Sequence, residues 1–225
     1  MEYPQPYINI GVLTRSNKGA FYDCSKLISV TIFDSVTSIG QYAFYDCSSL
    51  QTITIGSSVK SIEKGDNYDS AAFYGCDKLA NINYLGTIES WCKIVGLGNL
   101  MGYGASKTFS LNGEAVTDLV IPDTVTTIPS SAFYGCSSLT SVTIGNSVTS
   151  IGNSAFYNCS SLKTVYYAGT ADDWAKIDIG DYNYGLFSAT RYYYSETKPA
   201  LNSDGTAYDG NYWHYDNGEV VIWTK

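Results

Sequence analysis

AFYGCSSLTSVTIGNSVTSIGNS, residues Ala132–Ser154, decides the fold. Its opening phrase recurs: AFYxC stands at Ala20–Cys24, Ala43–Cys47, Ala72–Cys76, Ala132–Cys136 and Ala155–Cys159. The first two copies are 23 residues apart, as are the last two, and the gaps between are 29 and 60. A short fixed period means one structural unit stacked on copies of itself. Within the unit, Val142 and Ile144 flank Thr143, an alternation that puts Val and Ile on one strand face and Thr on the other. Val148 and Ile151 make a second strand-like piece, ended by a turn at Gly152.

The same apolar positions return at Leu27, Val30, Ile32, Val36 and Ile39, and at Leu50, Ile53, Ile55, Val59 and Ile62. They return once more at Val116, Leu119, Ile121, Val125 and Ile128. One coil cannot bury its apolar side alone, but coils stacked about 5 Å apart turn each position into a ladder. The phenylalanine ladder is Phe21, Phe44, Phe73, Phe133 and Phe156; the leucine ladder is Leu27, Leu50, Leu79, Leu139 and Leu162.

Bulk composition narrows the function classes. Apolar residues make up 44% of the 225, enough for a continuous core, while charged residues are only 15%. Ser, Thr, Asn, Gly and 21 tyrosines must therefore supply much of the surface. The net charge of −8, with no run of Lys or Arg, argues against a nucleic-acid role, because phosphate binding needs a basic patch. No apolar stretch is long enough to cross a membrane as a helix. Met1–Ala20 lacks the apolar centre of a secretory leader. The Thr, Ser, Asn, Gly and Tyr bias still predicts an extracellular or cell-surface location, with a leader removed.

The phrases SVTSIGQYAFYDCSSLQTITI and SVTSIGNSAFYNCSSLKTVYY resemble the leucine-rich repeat of BspA-like surface proteins, the Treponema pallidum type. The resemblance covers about four-fifths of the chain. It implies a strand-rich leucine-rich-repeat solenoid with short helices, a curved right-handed array of about six 23-residue coils. It also implies a non-catalytic surface or secreted role in adhesion.

A longer repeat sits on the short one. YLGTIESWCKIVG (Tyr84–Gly96) matches YAGTADDWAKIDIG (Tyr167–Gly180) at an offset of 83 residues. Each reads as a short helix capped by Thr87 or Thr170, with acids in the first turn and Trp91 or Trp174 anchoring it on the stack. Asn112-Gly113 and Asn217-Gly218 are hairpin turn signals, the second within a C-terminal capping hairpin. The expected divisions are residues 1–19, a degenerate N-terminal coil or cap; 20–83, repeat coils; 84–115, an interrupting helix–hairpin module; 116–166, repeat coils; and 167–225, a second helix module and cap. The polar loop Glu63–Ala71 bulges from one turn.

Catalytic and metal chemistry find little support. His214 is the only histidine, which excludes most His-based triads and metal sites. It reads as a packing residue within the terminal hairpin. No nucleophile elbow, phosphate loop or dinucleotide fingerprint occurs. Asp172, Asp173, Asp178 and Asp181 read as solvated acids. Asp66 with Asp69, and Asp204 with Asp209, make acidic loops without calcium-loop spacing. Asn158-Cys159-Ser160 matches a glycosylation sequon, but Cys159 falls in the core ladder. Five of six cysteines share one ladder and read as buried free thiols rather than disulfides, because an odd row cannot fully pair. No enzyme activity, metal or cofactor is expected.

Two surface rows remain as candidate sites. The first is the outward row of the long strand: Ser29, Thr31, Thr52, Thr54, Asn81, Asn83, Asp118, Ser141, Thr143, Thr164 and Tyr166. In leucine-rich repeats this strand lines the concave face, and such faces bind partners. Thr is also a good exposed strand former with no binding role. The second row is Tyr22, Tyr45, Tyr74, Tyr134 and Tyr157. These rings could hold sugars or a protein surface, or could stack on one another and shield the coil edges. The expected partner is a host or neighbour-cell surface protein, or a glycan. The alternatives are a carbohydrate-binding module on the tyrosine rows and a passive spacer in a longer surface protein.

Overall fold

The computed structural model describes the backbone of residues 7–10 and 15–16, and residues 19–64, 70–104 and 106–224 in full. Most coils contribute one long strand and one two-residue strand. In the N-terminal part these are β1 (Tyr7–Ile10), β2 (Arg15–Ser16), β3 (Ser29–Ile32), β4 (Ser38–Ile39), β5 (Thr52–Gly56), β6 (Ser61–Ile62) and β7 (Asn81–Leu85). The interruption holds α1 (Ile88–Trp91), α2 (Gly98–Met101), β8 (Thr108–Leu111) and β9 (Glu114–Ala115). Then follow β10 (Asp118–Ile121), β11 (Thr127–Ile128), β12 (Ser141–Ile144), β13 (Ser150–Ile151) and β14 (Thr164–Tyr167). The C-terminal part holds α3 (Ala171–Trp174), β15 (Asp178–Ile179), α4 (Tyr184–Ser188), β16 (Thr190–Tyr194), β17 (Tyr212–Asp216) and β18 (Glu219–Ile222).

The long strands form two six-stranded sheets, ordered β1-β3-β5-β7-β8-β9 and β10-β12-β14-β16-β17-β18. Every pairing is parallel except the closing hairpins β8–β9 and β17–β18. Asn112-Gly113 and Asn217-Gly218 make those hairpin turns with all four residues at positive φ, the backbone of a type I′ turn. The short strands form two further parallel sheets, β2-β4-β6 and β11-β13-β15. Val30, Ile53 and Ile82 stand in register, as do Leu119, Val142 and Val165, and all six are buried. A continuous apolar core runs from Leu27 to Ala189. At its N-terminal end Phe21 and Cys24 are only partly buried.

The AFYxC phrase is a tight turn whose letters each have a physical reason. The x position is left-handed throughout: Asp23, Asp46, Gly75, Gly135 and Asn158 have φ between 53° and 76°. Gly, Asn and Asp are the residues that tolerate this region. Phe21 N donates to Ala43 O at 2.8 Å and Asp23 N to Tyr45 O at 2.7 Å, and Phe133 and Gly135 repeat the pattern onto Ala155 and Tyr157. The cysteine completes the ladder: the Sγ atoms of Cys47, Cys76 and Cys159 donate to the carbonyls of Phe21, Phe44 and Phe133 at 3.1, 3.1 and 3.2 Å. All six cysteines are free.

The interruption keeps the core filled. Thr87 caps α1 in a capping box: Ser90 N donates to Thr87 Oγ1 at 3.1 Å and Thr87 N to Ser90 Oγ at 3.0 Å. Trp91 is fully buried, lies between Tyr84 and Phe109, and donates from Nε1 to Ala132 O at 3.0 Å. Phe109 then meets Phe133 edge-on at 5.7 Å. Trp91 and Phe109 thus occupy the level where the phenylalanine ladder skips from Phe73 to Phe133. In the second copy Thr170 and Asp173 make the equivalent box, and hydrogen bonds from Thr170 and Lys176 hold the Asp173 carboxyl down to about 2. The glycine of the shared Tyr-x-Gly-Thr phrase has a steric cause: a Cβ on Gly86 or Gly169 would come within 2.6 or 2.7 Å of the Tyr84 or Tyr167 ring.

Three singular residues do not follow the repeat. Lys107 is 1% exposed at the junction, with its Nζ donating to Tyr103 O, and burial holds its pKa down to about 8. Arg191 stands in register with inward Val165, its guanidinium 4.1 Å from the Trp174 ring centroid and its buried Nε without an acceptor. Asn183 is fully buried, and its Oδ1 accepts from Phe156 N at 3.0 Å. That is the bond a ladder alanine carbonyl accepts in the other coils, so an amide side chain stands in for a missing coil.

Candidate functional site

The outward row is two surfaces, not one. In the first sheet, Ser29, Thr52 and Asn81 stand side by side, and Thr31, Thr54 and Asn83 form the parallel row beside them. In the second sheet, Asp118, Ser141 and Thr164 align, and Thr143 aligns with Val120 and Tyr166. Sequence reasoning merged these sets into a single row. The structure separates them because β9 folds back on β8 and closes the first sheet before β10 opens the second.

The two surfaces differ in chemistry. The first is neutral and polar. Ser29, Thr31, Thr52, Thr54 and Asn83 are half-exposed and Asn81 is exposed. Asn83 Oδ1 accepts from Gly113 N at 2.9 Å, which ties the first hairpin to this face. On the second surface Asp118 accepts from Ser141 Oγ at 2.6 Å, Thr140 Oγ1 at 3.1 Å and Thr117 Oγ1 at 2.9 Å. The bonds from Ser141 and Thr117 hold its carboxyl below the usual carboxylate range.

Thr143 departs from the expectation of an exposed binding residue. It is 7% exposed, flanked in register by Val120 and Tyr166. Tyr166 opens an aromatic cluster that the repeat pattern did not single out. It lies 5.8 Å from both Tyr192 and Trp213, and Trp213 meets Tyr194 at 5.2 Å and Tyr215 at 4.9 Å. Trp213 is fully buried beneath these rings and donates from Nε1 to Tyr167 O at 2.9 Å. His214 stacks on Trp223 at 4.0 Å, a packing role. The tyrosine-rich stretches 182–194 and 208–215 mark this cluster in the sequence, as an extension of the tyrosine row.

The second candidate row forms two stacks. Tyr22 and Tyr45 lie 4.8 Å apart with planes at 4°, and Tyr45 and Tyr74 lie 5.2 Å apart at 15°. Tyr134 and Tyr157 lie 5.0 Å apart at 23°. Each face of Tyr45 is covered by the next ring, so a sugar cannot stack on it. The row offers ring edges and hydroxyls along its length, and a ring face only where the stack breaks.

The thiols are chemically quiet. Burial pushes Cys92 and Cys159 up to about 12 and Cys136 well above the usual thiol value; hydrogen bonding to Cys76 and burial raise Cys47. Protonated, buried thiols are poor nucleophiles and poor metal ligands. Among the described residues no three His, Cys, Asp or Glu side chains come together as a metal site. Asp66 and Asp69 of the acidic loop lie outside the described residues. Among the described residues no helix is long and apolar enough to cross a membrane.

Parallel strands stacked in register, with two-residue strands closing most coils, define a β-solenoid repeat protein. The profile of the BspA-type leucine-rich repeat region matches in six copies, over residues 14–93 and 105–177, and the chain belongs to that family. Among solved structures, a leucine-rich cell surface protein from Faecalibacterium prausnitzii is 28% identical, over 77% of this chain and 35% of its own, with a TM-score of 0.35. The chain spans about a third of that protein's length. A Treponema pallidum leucine-rich repeat protein is 22% identical over 81% of this chain and 72% of its own, with a TM-score of 0.33. A Bacteroides ovatus leucine-rich repeat protein is 19% identical over 90% and 67%, also with a TM-score of 0.33. No curated protein matches.

Proposed function

We propose that the chain is a non-catalytic adhesion module, displayed on a cell surface or secreted, that binds a surface protein of a host or neighbouring cell. The observation that carries this reading is the double row Ser29–Thr52–Asn81 and Thr31–Thr54–Asn83. It is in register, half-exposed or exposed, and free of charge. Hydroxyl and amide groups on a rigid parallel sheet present hydrogen-bonding partners at fixed spacing, and ordering them costs little because the backbone is already paired. The Faecalibacterium relative's description as a cell surface protein supports the location.

The test is a binding screen of the purified chain against immobilised matrix proteins and mucins, with Thr54→Arg in parallel. Thr54 lies between Thr31 and Asn83, so the arginine would project from the middle of the face without entering the core. The expected result is a protein that binds the chain and loses that binding on the substitution. Binding that survives Thr54→Arg moves the site off this face, and no binding to any protein favours a spacer.

A further inference from the structure

The geometry points to a second site, independent of the strand face: a groove for a neutral sugar where the tyrosine stack breaks. Within the stacks Tyr22–Tyr45–Tyr74 and Tyr134–Tyr157, neighbouring rings lie 4.8 to 5.2 Å apart and within 23° of parallel, and the first stack ends on Tyr103, edge-on to Tyr74 at 5.8 Å. After Tyr157 the next coil has no AFYxC turn. Asn183 supplies the missing ladder acceptor to Phe156 N, and α4 takes the turn's place. Gly185 lets α4 approach, since a Cβ there would meet Phe156 O at 3.0 Å. The ring that α4 brings, Tyr184, is 6.4 Å from Tyr157, tilted by 58° and 63% exposed. It does not close over Tyr157.

A groove of about 340 Å³ opens between them, lined by Tyr157, Asn158, Ser160, Leu162, Tyr184 and Ser188 among others. Its volume falls at the lower end of the range for small-ligand pockets. Its lining includes no charged side chain, although the chain carries a net charge of −8. Two tilted aromatic rings with an amide and two hydroxyls beside them suit a flat C–H face edged by hydroxyl groups. That is the chemistry of a neutral pyranose, which would take the place of the missing tyrosine in the stack. An anion or cation finds no partner in this lining.

Saturation-transfer NMR with the methyl glycosides of glucose, galactose, mannose and N-acetylglucosamine, each at millimolar concentration, tests this. At least one should receive transfer on its ring protons. Tyr157→Ala should weaken that binding by about two- to tenfold, the worth of one stacking contact. Ser188→Tyr, on an exposed position, should block the groove while leaving the far-ultraviolet spectrum unchanged. Tyr45→Ala, in the other stack, should leave sugar binding intact. No transfer to any of the four glycosides, or transfer that persists in Ser188→Tyr, overturns the proposal. Because the strand-face test reads protein binding to Thr54→Arg, either reading can fail without the other.

Discussion

Replacing Lys107 with methionine should alter stability in a way that depends on pH. Lys107 is 1% exposed, and burial holds its pKa at about 8 against 10.5 for the free side chain. Below pH 8 the ammonium is charged in both states, so folding bears the full cost of burying it. Between pH 8 and 10.5 the unfolded chain binds more protons than the folded one, so stability contributed at this site rises with pH. Above pH 10.5 both states are neutral and the cost is gone. A difference of about 2.5 pKa units corresponds to about 3 kcal/mol. Methionine keeps the unbranched stem and cannot ionise. The stability of Lys107→Met relative to wild type should therefore fall by about 3 kcal/mol between pH 7 and 10.5, at about 1.4 kcal/mol per unit above pH 8. The assay is urea unfolding followed by tryptophan fluorescence, with Trp91 packed against Phe109 at the same junction. The buried thiols, whose folded pKa values are raised, lose their stabilising contribution as pH climbs above 9 toward 12. Cys92 and Cys159 do so in both proteins and cancel in the difference, whereas Cys136, whose thiol the Lys107 charge pulls down, is raised further in Lys107→Met. A relative stability that stays flat across this window, or rises, would refute the account of a charge buried at a cost.

Three further outcomes follow from the ladder. Phe44→Ala, which removes a ring stacked between Phe21 at 5.2 Å and Phe73 at 5.0 Å, should cost about 3–5 kcal/mol. Hydrogen exchange should show the damage confined to adjacent coils, because contacts are nearest-neighbour; loss of protection at β14 would contradict that. Ser131→Gly should raise stability by up to about 1 kcal/mol, because Ser131 holds a left-handed φ of 59°; a lower unfolding midpoint would sink the strain argument. Iodoacetamide at neutral pH should leave Cys47, Cys76, Cys136 and Cys159 unmodified in the folded chain, as read by mass spectrometry. All four are buried, and rapid alkylation of any of them would show that its coil opens readily.

Much of this architecture is written in local chemistry that the residues carry by themselves. The 23-residue period, the alternation of Val and Ile with Thr, and the Asn-Gly turns act within a few residues of each other. So do the Thr87 and Thr170 caps and the choice of Asp, Gly or Asn at the left-handed position of AFYxC. Such features read directly because each coil repeats the same local problem and solves it the same way. What only the tertiary structure decided are the places where a coil meets something other than another coil. The fold-back of β9 splits the outward row in two, and Val120 and Tyr166 bury Thr143 between them. Asn183 mimics a backbone carbonyl that no next coil supplies, and Lys107 is buried at the junction. These residues sit where the period fails, and a side chain's environment there is set by the neighbour that is missing, which no pattern along the chain records.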